Sequence, residues 1–138
     1  MKTKFKNILI GITFLFSAFI FAEQTSKKVY VVPIQDVIDL GIPGLVTRAI
    51  NLAEADNASL IIFDIDTFGG RVDAATQIKD AISSTEIETI AFINRRAISA
   101  GSLISLSCDQ IYMTEGATIG ATSVVDMSGS KQSEKSQS

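Results

Sequence analysis

The fold of this chain depends on the stretch Arg95-Arg96-Ala97-Ile98-Ser99-Ala100-Gly101-Ser102, which joins a predicted strand to a predicted helix. Residues 87–94 before it are rich in β-branched and aromatic side chains, as is typical of a strand, and the apolar residues 103–106 after it favour a helix. Ser99 is therefore expected at the amino end of a helix, where backbone N–H groups and the helix dipole favour negative charge. A nucleophile is useful there, because these N–H groups can stabilise the charge that develops on an attacked oxygen. The alternative is that Ser99 is only a helix N-cap.

Strands and helices alternate along the rest of the chain. The predicted strands are residues 29–34, 59–65, 87–94 and 110–113, and the predicted helices are residues 45–55, 73–82 and 99–107. Because short connections join these elements, we expect right-handed crossovers and an α/β fold of repeated β-α-β units with a mostly parallel sheet. The apolar run Leu-Ile-Ile-Phe within residues 59–65 predicts a strand that is buried on both faces of that sheet. Residues 115–125 are predicted to form a loop or turn.

Two loops are expected at the edge of the sheet where the parallel strands have their carboxyl ends and where ligands usually bind. One loop contains Gly69 and Gly70, and the other begins at Ser99. Consecutive glycines let backbone N–H groups approach a ligand closely, so this pair beside a serine can form an oxyanion hole. The alternative is a tight turn that needs glycine only for its backbone angles.

The absence of histidine from the 138 residues limits the chemistry that Ser99 can use. It excludes a Ser-His-Asp triad, a Cys-His dyad and every metal site with a histidine ligand. The single cysteine, Cys108, excludes an intrachain disulfide and a cysteine-rich zinc site. We expect neither a metal nor another cofactor.

Residues 1–22 have the pattern of a secretory signal peptide. Three lysines among the first six residues precede a nearly continuous apolar run at 8–21, and the small Ala22 provides a cleavage point. An uncleaved membrane anchor is the alternative, although the run is shorter than the ~20 residues that span a bilayer. In either case we expect the domain that follows the polar linker at 23–28 to lie outside the cytoplasm.

The charge of the chain argues against some classes of partner. The chain has 12 basic and 15 acidic residues, a net charge of −3. Without the three lysines of the signal peptide, 9 basic residues remain against 15 acidic ones, a net charge of −6. Such a domain is not expected to bind nucleic acid or an anionic membrane surface through its charge.

Three motifs make the sequence recognisable. They are Asp-Ile-Asp-Thr-Phe-Gly-Gly-Arg-Val at 64–72, Ile-Ser-Ala-Gly at 98–101 and Gly-Ala-Thr-Ile-Gly-Ala at 116–121. With this spacing they resemble the NfeD family of membrane-bound serine proteases, which belong to the wider Clp protease and crotonase fold. The resemblance covers about residues 29–138, and it implies that residues 29–125 are the N-terminal part of a Clp-like serine protease domain.

The resemblance also implies roles for individual residues. It makes Ser99 the nucleophile, and it forms the oxyanion hole from the backbone of Gly69 and Gly70 with the N–H of Ala100. It further implies a lysine general base instead of a histidine, which agrees with the absence of histidine from the chain. The match to the family places this base at Lys135.

The end of the chain and one loop residue depart from the family pattern. Lys131 is the second candidate for the base, and either lysine must be desolvated or placed near another cation before it can accept a proton at neutral pH. Without the resemblance, residues 126–138 are a polar tail rich in Ser, Lys and Gln. Because the chain ends three residues after Lys135, we expect a truncated protease domain in which Lys135 is exposed. Phe68 occupies a position where the family usually has proline.

Three functions remain open at this point. The resemblance implies an extracytoplasmic, membrane-associated serine endopeptidase with a Ser-Lys dyad that cleaves hydrophobic segments of membrane proteins, with a stomatin-like protein as partner. The glycine loops also fit a crotonase-type acyl-thioester enzyme, and a non-catalytic binding fragment is the third possibility. A domain with this fold is expected to form a homodimer. The apolar region at 119–125 is expected to bind a peptide as an added strand.

Overall fold

The structure is a computed structural model, and it describes residues 27–121. The predicted alternation of strands and helices is present. The predicted signal peptide at 1–22, most of the linker at 23–28 and the polar tail at 126–138 lie outside the described residues. The strands are β1 (Val29–Ile38), β2 (Leu60–Gly70), β3 (Thr89–Ile98), β4 (Gln110–Met113) and β5 (Thr118–Gly120), and the helices are α1 (Ile42–Ala55), α2 (Val72–Ser84) and α3 (Ala100–Ser105).

Every strand pair within residues 27–121 is parallel, which confirms the predicted sheet. The strands lie in the order β1-β2-β3-β4, and β5 also pairs with β3. β4 pairs with residues 90–93 of β3, whereas β5 pairs with residues 96–98. The predicted loop at 115–125 thus contains a short strand. Three residues are too few to show the alternation by which a strand is recognised in a sequence.

The first three strands continue beyond their predicted ends, toward the two loops of interest. Ile38 at the end of β1 pairs with Gly70, and Thr67 on β2 pairs with Ala97 on β3. A register irregularity precedes both of these pairs. The glycine pair therefore belongs to a strand instead of a free turn, and backbone pairing holds it in place.

Within residues 27–121, the helices cover one face of the sheet and leave the other uncovered. Ile61, Phe63 and Ile65 of β2 are fully buried against them, whereas the alternate residues Ile62 and Asp64 are half-buried. The prediction that this strand is buried on both faces is therefore wrong. The strand order advances in one direction from β1 to β4, so right-handed crossovers place each connecting helix on the same side.

The hydrophobic core lies between this face and the helices. Pro43 suits the first turn of α1, because an N–H at that position would have no helical acceptor. The helices contribute to this core Val46, Ile50 and Ala53 from α1, Ala74, Ala75, Ile78 and Ile82 from α2, and Ala100 and Ile104 from α3.

Within residues 27–121, no helix is long and apolar enough to cross a membrane.

Two adjacent valines of β1 test this one-sided arrangement. Val32 is 3% exposed on the covered face, and Val31 is 64% exposed on the opposite face. We expect Val32→Ala to lower the free energy of unfolding by about 2 kcal/mol, because it removes buried apolar surface and leaves a cavity. Val31→Ala is the matched control and should change it by less than about 0.5 kcal/mol. Urea unfolding measures both values, and equal losses would contradict the arrangement.

Candidate active site

Ser99 forms the sharp turn between β3 and α3. Its backbone has a φ of 54° and a ψ of −113°, outside the regions that residues with a side chain normally occupy. Residues strained in this way are concentrated at active sites, where the surrounding structure holds them in place. In α/β-hydrolases, the nucleophilic serine lies on a comparable strained turn from strand to helix. The backbone of Ser99 therefore favours the catalytic interpretation.

The hydroxyl group of Ser99 does not cap α3. No capping hydrogen bond reaches its side chain, and its carbonyl oxygen accepts the N–H groups of Ser102 and Leu103 at 3.0 and 3.3 Å. The N–H of Ser99 donates to the carbonyl oxygen of Gly120 in β5 at 2.9 Å. The N-cap alternative thus does not account for a serine at this position, and its side chain remains partly exposed.

Gly69 lies directly against this turn. A Cβ atom on Gly69 would be 2.9 Å from the carbonyl oxygen of Ile98 and 2.9 Å from the Cβ of Ser99. It would also be 3.3 Å from the backbone nitrogen of Ala100. A φ of 108° favours glycine here as well. The structure thus brings together three of the residues that the sequence predicted for the site, namely Ser99, Gly69 and Ala100.

Gly70 differs from Gly69 in what it approaches. A Cβ atom on Gly70 would be 2.2 Å from the carbonyl oxygen of Ile38, so the missing side chain allows β1 to pair here. The next N–H along the chain, that of Arg71, donates to the same oxygen at 2.8 Å. Because successive N–H groups of a strand point to opposite sides, we expect the N–H of Gly70 to point away from β1, toward Ser99.

Thr67 was not predicted as a site residue, yet it holds the glycine pair. It is 1% exposed, and its Oγ1 accepts the N–H of Gly69 at 2.9 Å and donates to the carbonyl oxygen of Asp36. Its methyl group lies against α3, where a Cβ atom on Gly101 would be 2.5 Å from Cγ2. Thr67 therefore links the glycine pair to the helix that follows Ser99. In the sequence, the position of Thr67 shortly before the two glycines is the signal that could have identified it.

Ser102 fixes β5 beside the turn. It is 2% exposed, and its Oγ lies 2.7 Å from the carbonyl oxygens of both Ala97 and Gly120. The same oxygen accepts the N–H of Gly120 at 3.0 Å. Because this hydroxyl group is buried and engaged, Ser102 has a structural role, and Ser99 is the serine that a ligand can reach.

Cys108, just after α3, is not suited to act as a nucleophile. Burial, with a smaller contribution from the negative charge of Asp109, raises the pKa of the Cys108 thiol to about 12. The reactive form of a cysteine is the thiolate, so this side chain is inert at neutral pH. It does not compete with Ser99.

A groove of about 490 Å³ lies beside Phe68 and Ile98. The guanidinium group of Arg96 is 4.2 Å from the centroid of the Phe68 ring, a cation–π contact. The carboxylate of Asp66 accepts a hydrogen bond from the Nε of Arg95 at 2.7 Å and lies 3.4 Å from the Nε of Arg96. Both arginines are thus anchored, and Phe68, which is 72% exposed, forms an apolar wall of the groove.

The predicted general base falls outside the described residues, and this applies to both Lys135 and Lys131. Residues 27–121 contain three lysines. Two of them, at 27 and 28, precede β1 and therefore lie at the edge of the sheet opposite to Ser99. The third, Lys79, pairs with its neighbour in the middle of α2.

Comparison with known proteins connects this geometry to a family. A family model described as the NfeD1b N-terminal domain matches residues 28–138. The chain belongs to this NfeD1b family. The membrane protein NfeD1b of Bacillus subtilis (strain 168) is 37% identical over 137 residues, which are 97% of this chain and 31% of that protein. The membrane-bound protease PH1510 of Pyrococcus horikoshii is 42% identical over 77 residues, 54% of this chain and 18% of that protein. The chain thus spans less than a third of the length of either relative.

Solved structures agree with the NfeD1b assignment. A serine-to-alanine mutant of the 1510-N membrane-bound stomatin-specific protease aligns with a TM-score of 0.71 at 33% identity, over 80% of this chain and 57% of that chain. A lysine-to-alanine mutant in complex with a substrate peptide aligns with a TM-score of 0.69 at 34% identity, over 78% and 52%. ClpP1 from Listeria monocytogenes aligns with a TM-score of 0.55 at 26% identity, over 56% and 46%. These matches confirm the predicted NfeD family and the Clp protease-like α/β fold.

Ser99→Gly tests the backbone strain in this NfeD1b-family turn. Glycine adopts a positive φ without a steric penalty, so we expect the free energy of unfolding to rise by about 1 kcal/mol. Ser99→Ala keeps the Cβ atom and the strain, and should stay within about 0.5 kcal/mol of the unsubstituted chain. Thermal unfolding compares the two variants. A glycine variant less stable than the alanine variant would show that the turn is not strained.

Thr67→Val tests the link between Thr67 and the glycine pair. It leaves the buried N–H of Gly69 without an acceptor, and we expect it to cost about 2 kcal/mol of stability. Amide hydrogen exchange at Gly69 should become faster by about 10-fold or more, since a bond to a buried acceptor is lost. Thr67→Ser keeps the hydroxyl group and should preserve slow exchange at Gly69. Equal exchange in the two variants would contradict the role given to the hydroxyl group.

Proposed function

We propose that this chain is the serine-bearing part of a membrane-associated, extracytoplasmic endopeptidase that uses a Ser-Lys dyad. The observation that carries the proposal is the strained backbone of Ser99 at a strand-to-helix turn, with Gly69 packed against it. In the proposed reaction, the Oγ of Ser99 attacks a peptide carbonyl carbon, the C–N bond breaks and the amine leaves with the proton taken from Ser99. Water then hydrolyses the acyl-enzyme to release the carboxylic acid and restore Ser99. Support also comes from relatives described as a membrane-bound protease and as ClpP1.

Backbone N–H groups of Ala100 and Gly70 are the proposed donors of the oxyanion hole. Ala100 is the first residue of α3, so its N–H has no acceptor within the helix. The N–H of Gly70 is also expected to point toward Ser99, whereas the N–H of Gly69 donates to the side chain of Thr67. In this proposal, Gly69 contributes through its close approach to the serine. Donors fixed in this way stabilise the developing oxyanion without reorganisation.

A neutral lysine is the proposed acceptor of the proton from Ser99, with Lys135 as the base and Lys131 as the alternative. The chain has no histidine, and the three lysines of residues 27–121 lie elsewhere. A lysine with the ordinary pKa of about 10.4 is protonated at neutral pH, so burial or a nearby cation must lower that pKa. The solved 1510-N protease variants, one lacking a serine and one lacking a lysine, are in keeping with such a pair.

The proposed substrate is a hydrophobic peptide segment of a membrane protein. The 1510-N protease is described as stomatin-specific, and one of its structures holds a substrate peptide, so we propose a stomatin-like protein as the partner. One edge of β5 pairs with β3, and within residues 27–121 no strand occupies its other edge. An extended peptide can add to that edge as a strand. Phe68 and Ile98 in the adjacent groove offer apolar contacts to its side chains.

Location and assembly are parts of the same proposal. The relatives NfeD1b and PH1510 are described as a membrane protein and a membrane-bound protease, which supports an association with the membrane. The signal-like pattern at 1–22 supports an extracytoplasmic position for the domain that follows. A homodimer remains a prediction of the family resemblance.

Hydrolysis of hydrophobic peptides by the 138-residue chain in detergent micelles tests the proposal. Ser99→Ala and Lys135→Ala are each expected to lower kcat/KM by at least about 10³-fold, because a nucleophile and its base act as a unit. Ser84→Ala, at the exposed end of α2, and Lys131→Ala are the matched controls and should retain activity.

The outcomes of this assay separate the alternatives. Loss of activity in Lys131→Ala, with retention in Lys135→Ala, would move the base to Lys131. Activity that survives Ser99→Ala would overturn the proposal, as would a fluorophosphonate reagent that labels a different serine. Absence of both hydrolysis and labelling of Ser99 would favour a non-catalytic binding module.

A further inference from the structure

The sheet face opposite to the helices carries an apolar groove with a carboxylate inside it. The groove has a volume of about 510 Å³. Val31 and Tyr112, at its two sides, are 64% and 54% exposed. Exposed apolar surfaces of this kind commonly mark sites of interaction. The groove is lined by Val31, Ile62, Asp64, Ile90, Phe92 and Tyr112.

Asp64 lies in the middle of this groove because of the register of the strands. It pairs with Pro33 on β1 and with Phe92 on β3, and Phe92 pairs in turn with Tyr112 on β4. The parallel register therefore places these four side chains in one row across the face. The adjacent row on one side contains Val31, Ile62 and Ile90, and the row on the other side contains Gln35 and Asp66, so the carboxylate lies where the apolar part of the face meets polar side chains.

One oxygen of the Asp64 carboxylate lacks a hydrogen-bond donor within the described part of the chain. Its Oδ1 is buried and unpaired, while its Oδ2 accepts a hydrogen bond from the Nε2 of Gln35 at 3.2 Å. Burial removes water from a polar atom, so buried carboxylate oxygens are normally hydrogen-bonded. A molecule that enters the groove is in a position to supply the missing donor.

We propose that this face binds an apolar segment of a partner polypeptide that carries one lysine or arginine, and that this basic side chain pairs with Asp64. The apolar side chains of the segment cover Val31, Ile62 and Phe92. A cationic donor suits the site better than a neutral one, because it completes the hydrogen bonding of Oδ1 and also balances its charge. The inference does not rest on the proposed peptidase function, since Ser99 lies at the strand ends and Asp64 lies on the open face.

A second copy of this chain fits the face poorly. A two-fold axis through the groove would bring the Asp64 carboxylates of the two copies together within an apolar interface. Like charges in such a place repel each other and lose their hydration. The predicted homodimer would therefore use another surface of the domain.

Binding of synthetic peptides to the 138-residue chain tests this inference, with Ser99→Ala as the background that prevents cleavage. The probe is a short fluorescein-labelled peptide of leucine and alanine with one central lysine, and matched peptides have norleucine or glutamate in its place. Asp64→Asn is expected to weaken binding of the lysine peptide by about 10-fold or more, as measured by fluorescence anisotropy. Asp80→Asn, which alters an exposed carboxylate on α2, is the control and should leave binding unchanged.

A second variant locates the peptide on the face. Val31→Ser removes apolar contact without touching Asp64, and it should weaken the lysine and norleucine peptides alike. The inference is overturned if the lysine peptide does not bind, if it binds no better than the norleucine peptide, or if Asp64→Asn has no effect. Self-association of the chain that is lost in Val31→Ser would instead assign the face to a second copy.

Discussion

The contact between Gly69 and the backbone of Ile98 and Ser99 is the constraint on which the rest of the site depends. A Cβ atom at position 69 would be 2.9 Å from the Cβ of Ser99, so β2 and β3 can end side by side only with glycine there. Thr67 lies just before this contact, pairs with Ala97 and holds the N–H of Gly69. The strain at Ser99 is therefore maintained by the pairing of β2 with β3 up to Thr67 and Ala97, and by the hydrogen bond from the N–H of Ser99 to Gly120 of β5 on the other side.

The direction in which strands are added to the sheet explains both the core and the open face. Four strands in sequential order with right-handed crossovers place all the connecting helices on one side, where residues such as Phe63 and Ile93 are fully buried. The same rule leaves the alternate residues of each strand on the other side, including Ile62, Asp64 and Phe92. Among residues 27–121, the apolar surface on that side is left uncovered as a direct consequence of the topology.

Because the chain has no histidine, the proposed chemistry depends on how a lysine side chain is packed. A histidine can accept a proton at neutral pH even when it is exposed, whereas a lysine needs burial or a neighbouring cation to lower its pKa. Residues 27–121 contain Ser99 and the proposed backbone donors around it, while both candidate lysines, Lys131 and Lys135, lie outside them. In the proposed mechanism, catalysis would depend on how the lysine segment packs against this framework as much as on the serine.

Much of the architecture could be predicted from the sequence, because it depends on local patterns. The spacing of apolar residues predicted the helices, and β-branched runs predicted most strands. The residue types around Ser99 and Gly69 indicated the two loops that the structure brings together. The features that the sequence did not predict depend on pairing between distant parts of the chain. Strand order determined which face of β2 is buried, and pairing with Arg96–Ile98 made a strand of residues 118–120. Gly69, Gly70 and Thr67 contact residues about 30 positions away along the chain, and Asp64 lies between strand residues that are about as distant in the sequence. A local pattern records periodicity and composition, whereas only tertiary structure brings such distant residues into contact.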